Sequence, residues 1–365
     1  MHRACVFLYL YGMAISTDVF TPAVCRAMAA KGYTQEELCA RLGCSRRSVV
    51  ASFGMEVACA IEFLLDVPAK ELWNIRKGEL RALQAGRRQF NRRFYSQAAI
   101  EWARRFPVRE LEQAGHIAAT AGTTHAQRYE SGHVPREIMK FMGVASVAGW
   151  EKQYAFVRGS ANPHAYSAWV RLGELQVERP SADFEIDCDA IRKNLAFLRN
   201  NAVTFRHGLR AALLGMLRDC DVAVLQVPAF LTAPAPRAAS FWRGARPVLM
   251  LTGNRMEDST FMESLYLAAA HVIMPARRHS CIVCTDRVIT DAPAAAAPAV
   301  RLAESLLLTE AEECEIICCG RFEEKRCIDY FSGVFHVRPG LIVSRLQSQR
   351  KLPKSTPLNA FKIAV

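Results

Sequence analysis

The stretch "YTQEELCARLGCSRRSVVASFG", residues 33–54, constrains the chain more than any other. Thr34 can cap a helix, with Glu37 three residues on to accept from the Thr34 amide, the reciprocal capping box. Leu38 and Leu42 then share one face at i, i+4. Gly43 stands where a helix end needs a positive φ, and Ser45 can cap the helix that follows. In that second helix Val49 and Val50 turn inward, which leaves Arg46, Arg47, Ser48 and Ser52 facing out. A short helix start bearing hydroxyls and guanidiniums is what a major-groove reader requires. Arg46 or Arg47 can pair bidentately with guanine, while Gln35 and Ser45 sit where phosphate contacts come from. The plain alternative is an αα-hairpin with a basic surface.

The segment resembles the helix-turn-helix of the Cro/repressor-like (XRE) regulators. Its continuation, "MEVACAIEFLLDVPAKELWNIRKGELRALQ", is similar to the HigA-type antitoxin branch. The loop after the second helix is shorter here than in that family. The resemblance implies a transcription regulator that binds a double-stranded DNA operator as a homodimer, with paired half-sites, and a toxin protein as a further partner.

Bulk properties agree with a polyanionic partner without naming one. The chain of 365 residues has net charge +12 and pI ≈ 9.2, and its 51% hydrophobic content is enough to bury cores. Residues 76–93, "RKGELRALQAGRRQFNRR", carry seven basic residues against one glutamate, read as the solvated face of a helix. No apolar run approaches the ~18–20 residues of a membrane span, so no membrane partner is expected. The start, "MHRACVFLYLYGMAIS", imitates a short signal peptide with His2 and Arg3 ahead of an apolar core. The competing reading is an over-extended start, with Met13 opening the folded part. The thirteen cysteines are odd in number and scattered through apolar contexts such as "AVCRAM", "VACAIEF" and "EIICCGRF". That pattern predicts buried free thiols in a reducing cytoplasm rather than a disulfide scaffold. Cys314, Cys318 and Cys319, at helical spacing, are expected to share an apolar face with Ile316 and Ile317.

Periodicity divides the chain into a helix-turn-helix domain (17–93), a helical middle region (94–204) and a third domain (205–365). In the last, the helix "FRHGLRAALLGMLRDC" leads to the strand "VAVLQVP", a hairpin-like passage through "APAPRAASFWRGA" and the strand "RPVLMLTG". The apolar helix "FMESLYLAAAHVIMP" follows, then a strand "CIVCTDRVI", a low-complexity link "DAPAAAAPA" and helices to the end. The fold class is mainly α plus α+β. No repeat of fixed period is visible.

Several segments are similar, in order, to the ImmA/IrrE metallopeptidases: "MKFMGVASVAGWEKQ", "AWVRLGEL", the passage from "VAVLQVP" to "AAAHVIMP", and "RCIDYFSGVFHVRPGLIVSRLQSQRKLP". The resemblance implies a zincin-like domain fused to a repressor-type module. It also implies lost chemistry. A catalytic zinc needs three protein ligands and an open position, supplied economically by His-Glu-x-x-His on a helix. In register with that motif stand Leu267 for the first histidine and Ala268 for the glutamate, and only His271 remains. The third ligand would fall within "PAAAAPAV", ahead of Leu306 and Leu307, where no carboxylate stands. Glu263 lies eight residues before His271, about 12 Å along a helix, too far to share a metal. The sequence therefore predicts no catalytic residue, no metal and no cofactor, with His271 vestigial. His271 has three readings: a core or groove-lining histidine, a ligand of a rebuilt site with His279, Cys281 and Cys284, or another catalytic role. An active peptidase with relocated ligands and an antitoxin acting mainly by protein–protein binding are the alternative functions.

Overall fold

A computed structural model describes residues 19–365, apart from 47–48, 50–53, 73–79, 120–123, 178–185, 204–208, 234–235, 244–245, 275–279 and 285–287. The start that imitates a signal peptide therefore lies outside the described residues. The chain divides into two compact units, residues 1–155 and 156–365. These limits differ from the breaks at 93/94 and 204/205 read from periodicity. Amphipathic helices after residue 94 bury their apolar faces against the amino-terminal helices, and composition does not reveal which partner such a face takes.

The first unit is helical: α1 (Pro22–Lys31), α2 (Gln35–Leu42), α3 (Met55–Leu65), α4 (Ala69–Leu72), α5 (Leu80–Arg92), α6 (Gln97–Arg104), α7 (Val108–Gln113), α8 (His125–Glu130), α9 (His133–Met142) and α10 (Val147–Gln153). Its core gathers Leu38, Ile61, Phe94, Leu111, Ile138 and Met142. Phe63, Phe90 and Phe94 form a ring cluster with centroids 5.4–5.5 Å apart. Along α5, Leu83 and Phe90 face in, while Arg81, Arg88 and Arg92 are exposed. Gly86 lets α5 approach α3, since a Cβ there would come 2.7 Å from that of Met55. The basic run is thus a solvated face, partly neutralised: Arg87 pairs with Glu62 at 2.7 Å, and Arg93 Nε donates to Glu56 at 2.9 Å. Its first residues, 76–79, lie outside the described residues.

The second unit is α+β. Helices α11 (Pro163–Gln176), α12 (Cys188–Asn201) and α13 (Leu209–Arg218) precede strands β1 (Ala223–Val227), β2 (Ala238–Arg243) and β3 (Arg246–Thr252). Then come α14 (Asp258–Ile273), β4 (Cys281–Val283), β5 (Val288–Thr290), α15 (Pro293–Leu307), α16 (Glu310–Cys318), α17 (Lys325–Phe335) and α18 (Pro339–Ser348). The five-stranded sheet runs β1-β3-β2-β4-β5, with β1 and β3 parallel and the other pairs antiparallel. Helix α14 is buried nearly all round, packed on β2, β3 and β4 and lined along its length by α15. That is why its sequence is apolar on every face but the one bearing Glu263.

Three expectations need correction. The run "CIVCTDRVI" is not one strand but an antiparallel pair, β4 and β5, in register from Cys281 opposite Thr290 to Val283 opposite Val288. The alanine-rich link is the first half of α15. Alanine is the best helix former, Pro293 occupies the first turn where no amide is needed, and Pro298 forfeits one hydrogen bond. Ala295, Ala299 and Ala303, spaced by four, are buried and allow the close approach of α15 to α14. Cys314, Cys318 and Cys319 are exposed and form no apolar face; Ile316 alone of this group is buried. More widely, Cys39, Cys59, Cys220 and Cys281 are buried as expected, whereas Cys25 is exposed.

The last residues, 350–365, are tied into this unit. Leu352 and Leu358 are buried, the Asp258 amide donates to Ile363 O at 2.7 Å, and the Val365 amide donates to Met256 O at 2.9 Å. At the same corner Arg338 Nη1 donates to Asp258 Oδ2 at 2.8 Å and Arg338 Nε to Ala202 O at 3.0 Å, with the Asp258 side chain 1% exposed. Asp258 Oδ1 also accepts from the Ser259 amide at 2.8 Å.

Candidate functional site

Helix α2 begins with the capping box in place: the Thr34 amide donates to Glu37 Oε2 at 2.7 Å, and the Glu37 amide to Thr34 Oγ1 at 3.1 Å. It ends at Gly43, whose φ of 82° puts the turn in the left-handed region. The amides of Gly43 and Cys44 close back onto Ala40 O and Cys39 O at 2.8 and 3.0 Å. The Val49 amide then donates to Ser45 O at 2.9 Å, the first turn of the following helix, and Val49 is buried. Ser45 and Arg46 are exposed at this helix start, and the Arg46 guanidinium lies 5.8 Å from the Phe20 ring centroid. Gln35, in the first turn of α2, is half-buried. Arg47, Ser48, Val50 and Ser52 lie outside the described residues.

Sequence reasoning passed over three residues that brace this turn. Arg41 is fully buried, with Nη1 donating to Met142 O and Gly143 O at 3.2 Å each and its guanidinium carbon 4.4 Å from the Tyr33 ring centroid. Gly149 brings α10 against α2, since a Cβ there would come 2.3 Å from Arg41 O. Lys152 Nζ donates to Gly43 O at 2.8 Å, a cation at the carboxyl end of α2. The turn after α9 repeats the local geometry, with Gly143 at φ 65° and Ser146 Oγ accepting from the Gly149 amide at 3.0 Å. That second turn is packed against the first. The Ala145 amide donates to Arg41 O at 2.9 Å, and a Cβ on Gly43 would come 2.8 Å from Ser146 Oγ. Of these two similar turns, the one at Ser45 and Arg46 is exposed and the one at Ser146 is partly covered.

In the second unit, the three positions compared with the metallopeptidase helix motif, Leu267, Ala268 and His271, lie on α14. His271 is 1% exposed and Ala268 is buried beside it on α14. Leu267, at the first-histidine position, lines a cavity of about 190 Å³ with Glu263, Ala303, Leu307, Leu341 and Arg345. Burial raises the Glu263 carboxyl above its ordinary range, against a hydrogen bond from Ser344 and the charges of Arg237, Lys362 and Arg345. Arg345 itself pairs with Glu304 and Glu313. Of the other suggested ligand set, only Cys281 and Cys284 fall among the described residues. Cys281 is buried in β4 with Sγ 3.2 Å from Ser240 Oγ, and burial pushes its thiol up to about 11, so it keeps its proton at neutral pH. Cys284 follows the strand, and His279 lies outside the described residues. Among the described residues no three His, Cys, Asp or Glu side chains are grouped to hold a metal ion, and no helix is long and apolar enough to cross a membrane.

No family model, curated protein or solved structure matches the chain.

Proposed function

We propose that the chain is a DNA-binding transcriptional regulator of the repressor or antitoxin type, working in the cytoplasm. It binds a double-stranded operator as a homodimer, and its second unit is a peptidase-like shell that dimerises, senses a ligand or holds a toxin partner. One observation carries the reading: the exposed Ser45–Arg46 helix start, set directly after a boxed helix and a left-handed glycine. The net charge of +12 supports it, because phosphate neutralisation supplies most of the affinity of such modules. Leucine and alanine at positions 267 and 268 support the inactive shell, since neither side chain can ligate zinc or accept a proton.

Fluorescence anisotropy with labelled DNA from upstream of the gene tests the proposal. Binding should weaken steeply with salt and favour that DNA over a scrambled duplex. Arg46→Ala, removing a base-reading guanidinium, should weaken it by about 1–3 kcal/mol, roughly 5- to 150-fold. Equal, weak binding to both duplexes, untouched by the substitution, would overturn the reading.

A further inference from the structure

Cys319 follows the last residue of α16, and Cys327 stands in the first turn of α17. Their sulfurs are 3.1 Å apart, about 1 Å more than a disulfide bond requires. Cys319 is exposed and Cys327 half-buried, so one thiol meets solvent while the other waits behind it. Gly320, at φ 66° and with nothing within 4 Å of its would-be Cβ, makes the turn that brings the two sulfurs together. Cys319 Sγ donates to Ile316 O at 2.9 Å and accepts from the Arg321 amide at 3.4 Å, contacts that hold it beside Cys327. Burial, then the adjacent Cys319 sulfur, pushes the Cys327 thiol up to about 12, so Cys327 keeps its proton at neutral pH until it reacts.

We propose that Cys319 and Cys327 form a reversible dithiol–disulfide pair, closed by hydrogen peroxide. The Cys319 sulfur attacks the peroxide, the O–O bond breaks, and hydroxide leaves to become water. Cys319 is now a sulfenic acid, and the peroxide has been reduced by two electrons. The Cys327 sulfur, its proton passing to solvent, attacks Cys319; the S–O bond breaks, the S–S bond forms and a second water leaves. In sum, two thiols and one peroxide become one disulfide and two waters. A small dithiol reverses the bond by exchange. This site is independent of the DNA-binding reading.

The test uses the full reduced chain and hydrogen peroxide as the probe. Trypsin cuts after Arg321 and Arg326, so the two cysteines fall on separate peptides. Oxidation should leave the peptide ending at Arg321 joined to the one beginning at Cys327, two hydrogens lighter than their sum and separable by a reductant. Cys314 and Cys318 share the first peptide with Cys319, so the C314S/C318S double variant should cross-link as the parent does. C319S should lower the yield about tenfold or more, as the proximity of the sulfurs is lost. Unlinked peptides, whether the thiols are untouched or Cys319 is over-oxidised, would overturn the proposal. So would linkage that persists in C319S.

Discussion

A methyl group at Gly149 probes the seam that braces the candidate helix start. Its Cβ would lie 2.3 Å from Arg41 O and 3.0 Å from the Arg41 carbonyl carbon. Both are backbone atoms, so no side-chain rotation relieves the contact; α2 and α10 must part by about 1 Å. That separation lengthens the Ala145–Arg41 bond, now 2.9 Å, and the two 3.2 Å bonds from the Arg41 guanidinium. Overpacking costs about 1–3 kcal/mol and a weakened buried hydrogen bond about 1 kcal/mol, against a gain of about 1 kcal/mol from replacing a helical glycine. The net is a loss of about 1–3 kcal/mol. Urea unfolding measures it, with hydrogen exchange of residues 35–46 and 142–153 locating the loss. Gly333→Ala is the control, since its Cβ meets nothing within 4 Å and should be neutral or stabilising. If G149A matched G333A in midpoint and in exchange, the argument for a close backbone seam would be refuted.

Asp258→Asn strips the buried partner of Arg338 and should cost about 3 kcal/mol or more, because a buried charge loses its counter-charge. Urea unfolding and faster exchange of the Ile363 amide, which donates to Asp258 Oδ1 at 3.2 Å, would register it; an unchanged midpoint would contradict it. Glu263→Gln tests a pH effect. Burial raises the Glu263 carboxyl above 4.5, so the folded state keeps a proton that the unfolded chain releases, and stability is lost as pH rises from 4.5 through the raised value. The glutamine variant should show a flatter stability profile over that window and a higher midpoint at neutral pH. Parallel profiles for parent and variant would contradict the assignment.

Local signals were legible wherever a residue's role depends on its immediate neighbours. The Thr34–Glu37 box, the turn at Gly43, the inward Val49 and the strands around "VAVLQVP" and "RPVLMLTG" follow from caps, backbone freedom and apolar spacing. Signals failed where short range pointed two ways. The alanines after Asp291 suggested a link because the segment is low in complexity and holds two prolines, yet the same alanines supply a helix with a small-residue face for α14. Cys314, Cys318 and Cys319 sit in apolar sequence, but the helix that bears them turns them to solvent.

By itself, then, the chain's sequence determined where α2 starts and stops and where the first strands lie, because capping, φ preference and apolar spacing belong to single residues and near neighbours. Tertiary structure decided which of two similar glycine turns stays exposed, that Arg41 is buried as a brace, and that Cys319 meets Cys327 across a turn. Those outcomes depend on which faces pack together, and residues far apart in the chain carry no local mark of their contact.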